Sequence, residues 1–400
     1  MNIIFKNANL FDGQHAQLQQ NSWLKVDDLT GKVVATGTGT APEAKRVVDL
    51  QGKYLMPGLI NAHTHIMMNP VTNKLEYLSE TEATVTALNN LQELLKAGVT
   101  YIRDCGCAFD VDVKLAKLQQ ENVLGGTEIM PSGRPMTMTG GHGDFIEEPD
   151  GSATWGHLTD SEDAMRKAVR QEFKRGAKNI KVMATGGGVM SATDEVDDIE
   201  LSLAELKVAV EEAHSKHMTV ASHAQGNQGI QNSLVAGVDS IEHGIYIDED
   251  QAAFMREKNI FLVPTLNAPT AISQDGRGKL PEYMLRKNDL VKSDFFKNVS
   301  QAIKQGVKVV VGTDAGTPFN SFGKGTWNEL KLIVELGASP AQALFGATKY
   351  AAELLKIDDL YGTLAAGKFA DFLILDDNPL ENVGSLESLK AVYKKGKKVN

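Results

Sequence analysis

The spacing of apolar residues changes twice along this chain. Up to about residue 54 they fall in short, roughly alternating runs at 3–10, 22–26, 32–35 and 46–50, the pattern of half-buried strands. Asp12-Gly13, Thr30-Gly31 and Gly37-Thr38-Gly39 separate these runs with turn chemistry. From Tyr54 onward, short apolar runs alternate with amphipathic stretches of helical period. The runs lie at 58–65, 100–105, 128–134, 179–185, 219–224, 240–243, 261–266 and 308–314, and the helical stretches include 80–97, 161–175, 202–216 and 281–305. Gly98, Gly176, Gly237 and Gly306 each stand where a helix ends and the next strand begins, as C-cap glycines do. After 351–356 the texture returns to β, with Leu360-Tyr361-Gly362-Thr363-Leu364, Gly367-Lys368 and strands at 370–375 and 389–393.

Eight strand–helix units in succession predict an α/β fold, a (β/α)8 TIM barrel. An open doubly wound sheet is the alternative, but it would want a phosphate-binding turn after its first strand, and the sequence has none. The two β-rich ends are expected to pair into one small β-sandwich. The boundaries are 1–56 and 360–400 for the sandwich and 57–359 for the barrel.

In such a barrel the chemistry sits at the C-terminal strand ends. Four of the nine histidines fall there: His63 and His65 after the first strand, His223 after the fifth and His243 after the sixth. Asp314 ends the eighth strand, and Lys181 lies inside the fourth. In His63-Thr64-His65 the period of two points both imidazoles to one side, where they can chelate a divalent cation, most simply zinc. Asp314 adds an anionic oxygen able to bind metal and move a proton. His223 and His243 could hold a second metal. An ammonium repels cations, so Lys181 fits only if carbamylated by CO₂ into an anionic bridge. Each element alone has a bland reading: a packed histidine, or a lysine that snorkels to the rim. Their gathering at one barrel end is what points to a metal site, whereas His15, His157, His214 and His217 fall on helices and loops.

Composition narrows the rest. The formal net charge of −10 argues against nucleic-acid and membrane partners, and no apolar run approaches a membrane span. The N-terminal Met1-Asn2-Ile3-Ile4-Phe5-Lys6 reads as a strand rather than a leader. Cys105 and Cys107, one residue apart, cannot staple the fold and suggest a reducing, cytoplasmic setting. The expected partner is a small-molecule or dipeptide substrate, and a homo-oligomer is compatible with the sequence.

Pro57-Gly58-Leu59-Ile60-Asn61-Ala62-His63-Thr64-His65 resembles the opening motif of the amidohydrolase superfamily. Ser222-His223-Ala224-Gln225-Gly226, Ile241-Glu242-His243-Gly244 and Gly312-Thr313-Asp314-Ala315-Gly316 resemble its later motifs in order, and the tail 362–371 resembles the return into its sandwich. The resemblance implies a binuclear centre: His63, His65 and Asp314 on one metal, His223 and His243 on the other. A carbamylated Lys181 and a hydroxide would bridge the two. Deaminases of the superfamily carry a Glu shortly after the strand-5 histidine. Gly226 stands there instead, which favours amide hydrolysis over deamination. The segments 132–143 and 181–188 resemble a narrower group of Xaa-Pro dipeptidases (prolidase-like) and carboxypeptidase-like enzymes acting on dipeptides and N-acyl amino acids. By that resemblance Asp314 shuttles the proton and His142 assists the scissile carbonyl. Some members place an aromatic residue where this chain has Gln225, a candidate substrate contact.

The rivals are a deaminase or cyclic-amide hydrolase on the same scaffold and, more distantly, a non-catalytic assembly protein. Gly186-Gly187-Gly188 lacks the Lys-Ser/Thr of a phosphate cradle and is expected to let backbone approach the substrate. Cys105-Gly106-Cys107 makes a poor metal set, the basic run at 394–398 reads as a solvated strand edge, and Trp23, Trp155 and Trp327 read as packing residues.

Overall fold

A computed structural model describes residues 2–71, 78–144, 155–187, 192 and 194–399. Gly188 of the glycine run lies outside them.

The two chain ends share one eight-stranded sheet. Its order is Lys397–Lys398, Leu389–Lys394, Phe372–Leu375, Tyr54–Pro57, Asn2–Leu10, Gln19–Asp27 and Lys32–Thr38, with Arg46–Asp49 on a second flank of Asn2–Leu10. Alternation places Phe5, Phe372 and Tyr393 on one face, where Phe372 and Tyr393 stack at 4.4 Å and Phe5 meets both edge-on. These rings anchor a core separate from the main one.

The remaining strands are parallel and, His157–Leu158 apart, largely buried on both faces, as continuous apolar runs should be. Leu59–Thr64, Val99–Asp104 and Glu128–Met130 form one sheet; His157–Leu158, Met136–Thr137, Asn179–Met183, Thr219–Ala224, Ser240–His243 and Phe261–Val263 form another. The fifth and sixth expected strands match to the residue. The eighth does not form a ladder. Segment 308–314 instead bonds to neighbours on both sides: Leu262 N–H donates to Lys308 O at 3.1 Å and Val310 N–H to Leu262 O at 2.8 Å, while Ala62 N–H donates to Val311 O at 2.8 Å and Asp314 N–H to His63 O at 2.9 Å. Only isolated parallel bridges, Leu262 with Val309 and Thr64 with Ala315, mark its place between the two sheets.

Helices Glu80–Lys96, Glu162–Arg175, Leu203–His214 and Glu282–Lys304 match the periodic stretches. Ser79, Ser161 and Ser202 cap the first three through their hydroxyls, and Gly98, Gly176, Gly237 and Gly306 all have positive φ. A helix the sequence reading lacks, Asn267–Asp275, follows Phe261–Val263. Its entry is pinned by the buried Glu329 carboxylate, which accepts Leu266 N–H at 2.9 Å and Asn267 N–H at 2.7 Å. No helix among the described residues is long and apolar enough to cross a membrane.

Candidate metal centre

His63 belongs to Leu59–Thr64 and His65 follows it, so both rings project from the carboxyl end of one strand, 5.4 Å apart. Asp314 comes from the adjoining parallel segment, its N–H donating to His63 O at 2.9 Å. Its Oδ1 lies 3.4 Å from His63 Nε2 and 3.1 Å from His65 Nε2. Lys181 Nζ is 3.3 Å from the same His63 Nε2. His243 packs 5.2 Å from the His63 ring and 4.7 Å from the His223 ring. All six residues named from the sequence therefore line one cleft.

Each imidazole has its other nitrogen engaged. His63 Nδ1 meets Glu242 Oε2 at 2.6 Å, His65 Nδ1 meets Gly106 O at 3.2 Å, His243 Nδ1 meets Thr265 Oγ1 at 2.7 Å, and His223 Nε2 meets Gly186 O at 3.1 Å. A ring that donates through one nitrogen turns the lone pair of the other inward, which is how ligating histidines are held. Two such lone pairs and a carboxylate oxygen converge on one point, and the His63, His65 and Asp314 donor atoms all lie within 4.8 Å of one another. That set is repulsive unless a cation or proton sits among it, so the residues fit a divalent metal.

The electrostatics agree. Burial, then the Lys181 charge, drives the His63 imidazolium well below its usual range; burial, then the His142 charge, does so for His223. Burial holds His243 down at about 3. Burial acts to raise the Asp314 carboxyl, but the His65 hydrogen bond and the surrounding histidines outweigh it and hold it far below the carboxylate range. Neutral imidazoles beside an ionised carboxylate are the protonation states that bind metal. His243, Thr265 and Asp314 all have φ between 55° and 67°, a left-handed backbone that side chains adopt at a cost of about 1–3 kcal/mol each. Strain gathered at three strand ends facing one cleft marks a functional site.

His142 stands over this group, its ring stacked on His223 at 4.4 Å. Nδ1 lies 2.8 Å from Asp194 Oδ2, and the fully buried Lys287 ammonium grips Asp194 Oδ1 at 3.0 Å and its carbonyl. Burial would raise the Asp194 carboxyl, yet His142, Gly187 N–H and Lys287 hold it at about 2. The His142 backbone N–H donates to Glu200 Oε1 at 2.5 Å. Gly187 makes this possible, because a Cβ there would lie 1.8 Å from His142 Cε1. The glycine run thus admits an imidazole. Gln225 lines the cleft, and among the described residues its Oε1 has no hydrogen-bond partner.

Sequence reasoning missed the supporting residues. Glu242 is held on its far side by Arg103 Nη2 at 2.7 Å, and both side chains are fully buried. An arginine inside an apolar strand was the available signal. Cys105 lies near His63 and Glu242, but burial pushes its thiol up to about 12, so it is no thiolate ligand by itself. Trp155 is more than packing: it meets the His65 ring at 5.6 Å and lines the cleft.

Imidazole and carboxylate donors gathered at the carboxyl ends of parallel strands define a hydrolytic α/β enzyme. The profile of the amidohydrolase family matches residues 54–399, and the chain belongs to that family. It is 33% identical over 367 residues to the ochratoxinase of Aspergillus niger, covering 84% of this chain and 73% of that one. The structure of a Xaa-Pro dipeptidase with methionine bound in its active site superposes with a TM-score of 0.92 at 27% identity, covering 100% of both chains. A prolidase complexed with N-methylphosphonate-L-proline gives 0.90 at 28% identity, again covering 100% of both. The protein is a hydrolase acting on amide bonds.

Proposed function

We propose that this hydrolase cleaves dipeptides or N-acyl amino acids with two divalent ions, most simply zinc. His63, His65 and Asp314 would hold one, His223 and His243 the other, and a carbamylated Lys181 would bridge them. The observation that carries this is the convergence of His63 Nε2 and His65 Nε2 on Asp314 Oδ1, with Lys181 Nζ against His63 Nε2. Bonds from 308–314 to strands on both sides, and from Lys178 N–H to Pro131 O at 2.8 Å, support closure of the two parallel sheets into a (β/α)8 barrel whose mouth is this cleft. The shared end sheet would then be the flanking sandwich. We propose a cytoplasmic enzyme whose partner is its small substrate.

Bound metal would supply an acidified water and a Lewis acid at the scissile carbonyl. The chain's own residues do the rest. Asp314, ionised and placed between the two strand-1 histidines, accepts a proton from the attacking water and returns it to the departing nitrogen. His142, oriented by Asp194 and Lys287, donates to the carbonyl oxygen as negative charge grows there. Apolar walls from 267–275 and 282–304 exclude bulk water.

Elemental analysis of active protein prepared without chelator should give close to two divalent ions per chain. The same protein should release amino acids from dipeptides. One ion or none in fully active protein overturns the binuclear reading.

A further inference from the structure

Two polar atoms on side chains that line the cleft lack a hydrogen-bond partner: Asn288 Oδ1 and Gln225 Oε1. An orphaned buried polar atom costs about 1–3 kcal/mol, so native chains keep one where something else meets it. Asn288 is the more telling. It is 1% exposed, and its Nδ2 donates to Ser273 Oγ at 3.0 Å. Ser273 gives its own hydrogen to Pro269 O at 2.9 Å, while Lys292 Nζ donates to the same oxygen at 2.9 Å. A hydroxyl has one hydrogen, so towards Asn288 it can only accept. The amide is therefore fixed with nitrogen on Ser273, and its oxygen is left as an acceptor awaiting a donor.

The surroundings say which donor. Ala268, Pro269, Ile272, Val291 and Phe295 line the same side of the cleft, on the helices Asn267–Asp275 and Glu282–Lys304. Among the described residues Lys181 is the cleft's one lysine, and no arginine lines it. An acceptor in an apolar wall suits an N–H and repels a carboxylate.

We infer that Asn288 is a specificity residue: its oxygen accepts a hydrogen bond from the α-amino group of a dipeptide whose apolar N-terminal side chain lies against Ile272, Val291 and Phe295. This rests on the amide-hydrolase reading of the same cleft and narrows it. A dipeptide brings a free N–H to this wall; an N-acyl amino acid does not. Gln225 Oε1, unpartnered among the described residues, lines the same cleft as a second acceptor.

The test compares leucyl-alanine with 4-methylpentanoyl-alanine, which differs by the amino group alone, on metal-loaded wild type, Asn288→Leu and Asn288→Asp. Wild type should favour leucyl-alanine in kcat/KM by about 10-fold, the size of one net hydrogen bond. Asn288→Leu should lose that factor on leucyl-alanine and keep its rate on the desamino compound. Asn288→Asp, which retains the acceptor, should keep the preference. Competition by leucine against 4-methylpentanoate should follow the same order, giving a binding readout. Equal wild-type rates on the two substrates, or an Asn288→Leu variant slowed equally on both, overturn the assignment to Asn288. Cleavage of neither compound by metal-loaded protein instead refutes the dipeptide reading itself.

Discussion

Glu242→Gln separates a metal centre from a merely packed histidine cluster. In the native chain the carboxylate is shared: Oε2 takes the His63 Nδ1 proton at 2.6 Å and Oε1 takes Arg103 Nη2 at 2.7 Å, with no solvent access at any of the three side chains. Glutamine keeps the shape but has one oxygen. If that oxygen stays with Arg103, the amide nitrogen faces His63 Nδ1, and two donors collide. His63 must then move its proton to Nε2, the atom that looks at Asp314 and Lys181. Removing such a supporting partner lowers metal affinity by about 10–100-fold. The Arg103 guanidinium also loses its charged partner inside the core, which costs about 3–5 kcal/mol of stability. Competition with a fluorescent chelator measures the first effect, and urea unfolding of the metal-free protein measures the second. An unchanged chelator midpoint in Glu242→Gln would show that His63 Nε2 does not ligate.

Two further outcomes follow from the cleft. Asp314→Asn retains an oxygen for metal but cannot take the water's proton, so it should keep a substantial share of its metal and lose at least about 10²-fold in turnover; near-normal turnover at full occupancy would force another base to be sought. His142→Ala should keep full metal and lose a similar factor, a split that elemental analysis and steady-state kinetics read together. Burial raises the Glu200 carboxyl to about 8 from an ordinary 4.5, so the unfolded chain ionises first and stability falls as pH rises between those values, by at most about 1.4 kcal/mol per unit. Glu200→Gln should therefore gain on wild type in urea midpoint from pH 5 to pH 8 and stop gaining above it; parallel midpoints across that window would refute this.

The proposed metal donors could be read in the sequence because strand ends carry a local signal. His63, His65, His223, His243 and Asp314 each sit at or beside the end of an apolar run, within motifs that keep their order. Glu242 was inside one of those motifs and still escaped notice, for a physical reason. Adjacent strand residues point to opposite faces, so Glu242 and His243 should not serve one centre. They do because His243 leaves the strand with φ at 67°, which ends the alternation at that residue. The His142 support was hidden differently. Asp194, Glu200 and Lys287 lie 52, 58 and 145 positions away on loops and a helix, and no spacing rule links them. The eighth strand read as a regular strand because its composition is that of one; the structure pairs it only through isolated bridges and separate backbone bonds, which composition does not encode.

That division has a consequence for how the site can change. The donors are fixed twice, by strands buried on both faces and by outward partners such as Glu242, Thr265 and Gly106. Asn288 and the apolar wall stand on Asn267–Asp275 and Glu282–Lys304, tied to the centre through Glu329 and the Leu266–Asn267 backbone rather than through any proposed ligand. A substitution of Asn288 or of the apolar wall residues can alter what is bound without disturbing the centre, whereas a substitution among the donors alters both. Similarity to an ochratoxinase and to Xaa-Pro dipeptidases at about the same identity is what such a scaffold would produce. It also means that overall identity cannot choose between their substrates for this chain. The side chains on the two wall helices can, and here they present apolar surface and one fixed acceptor.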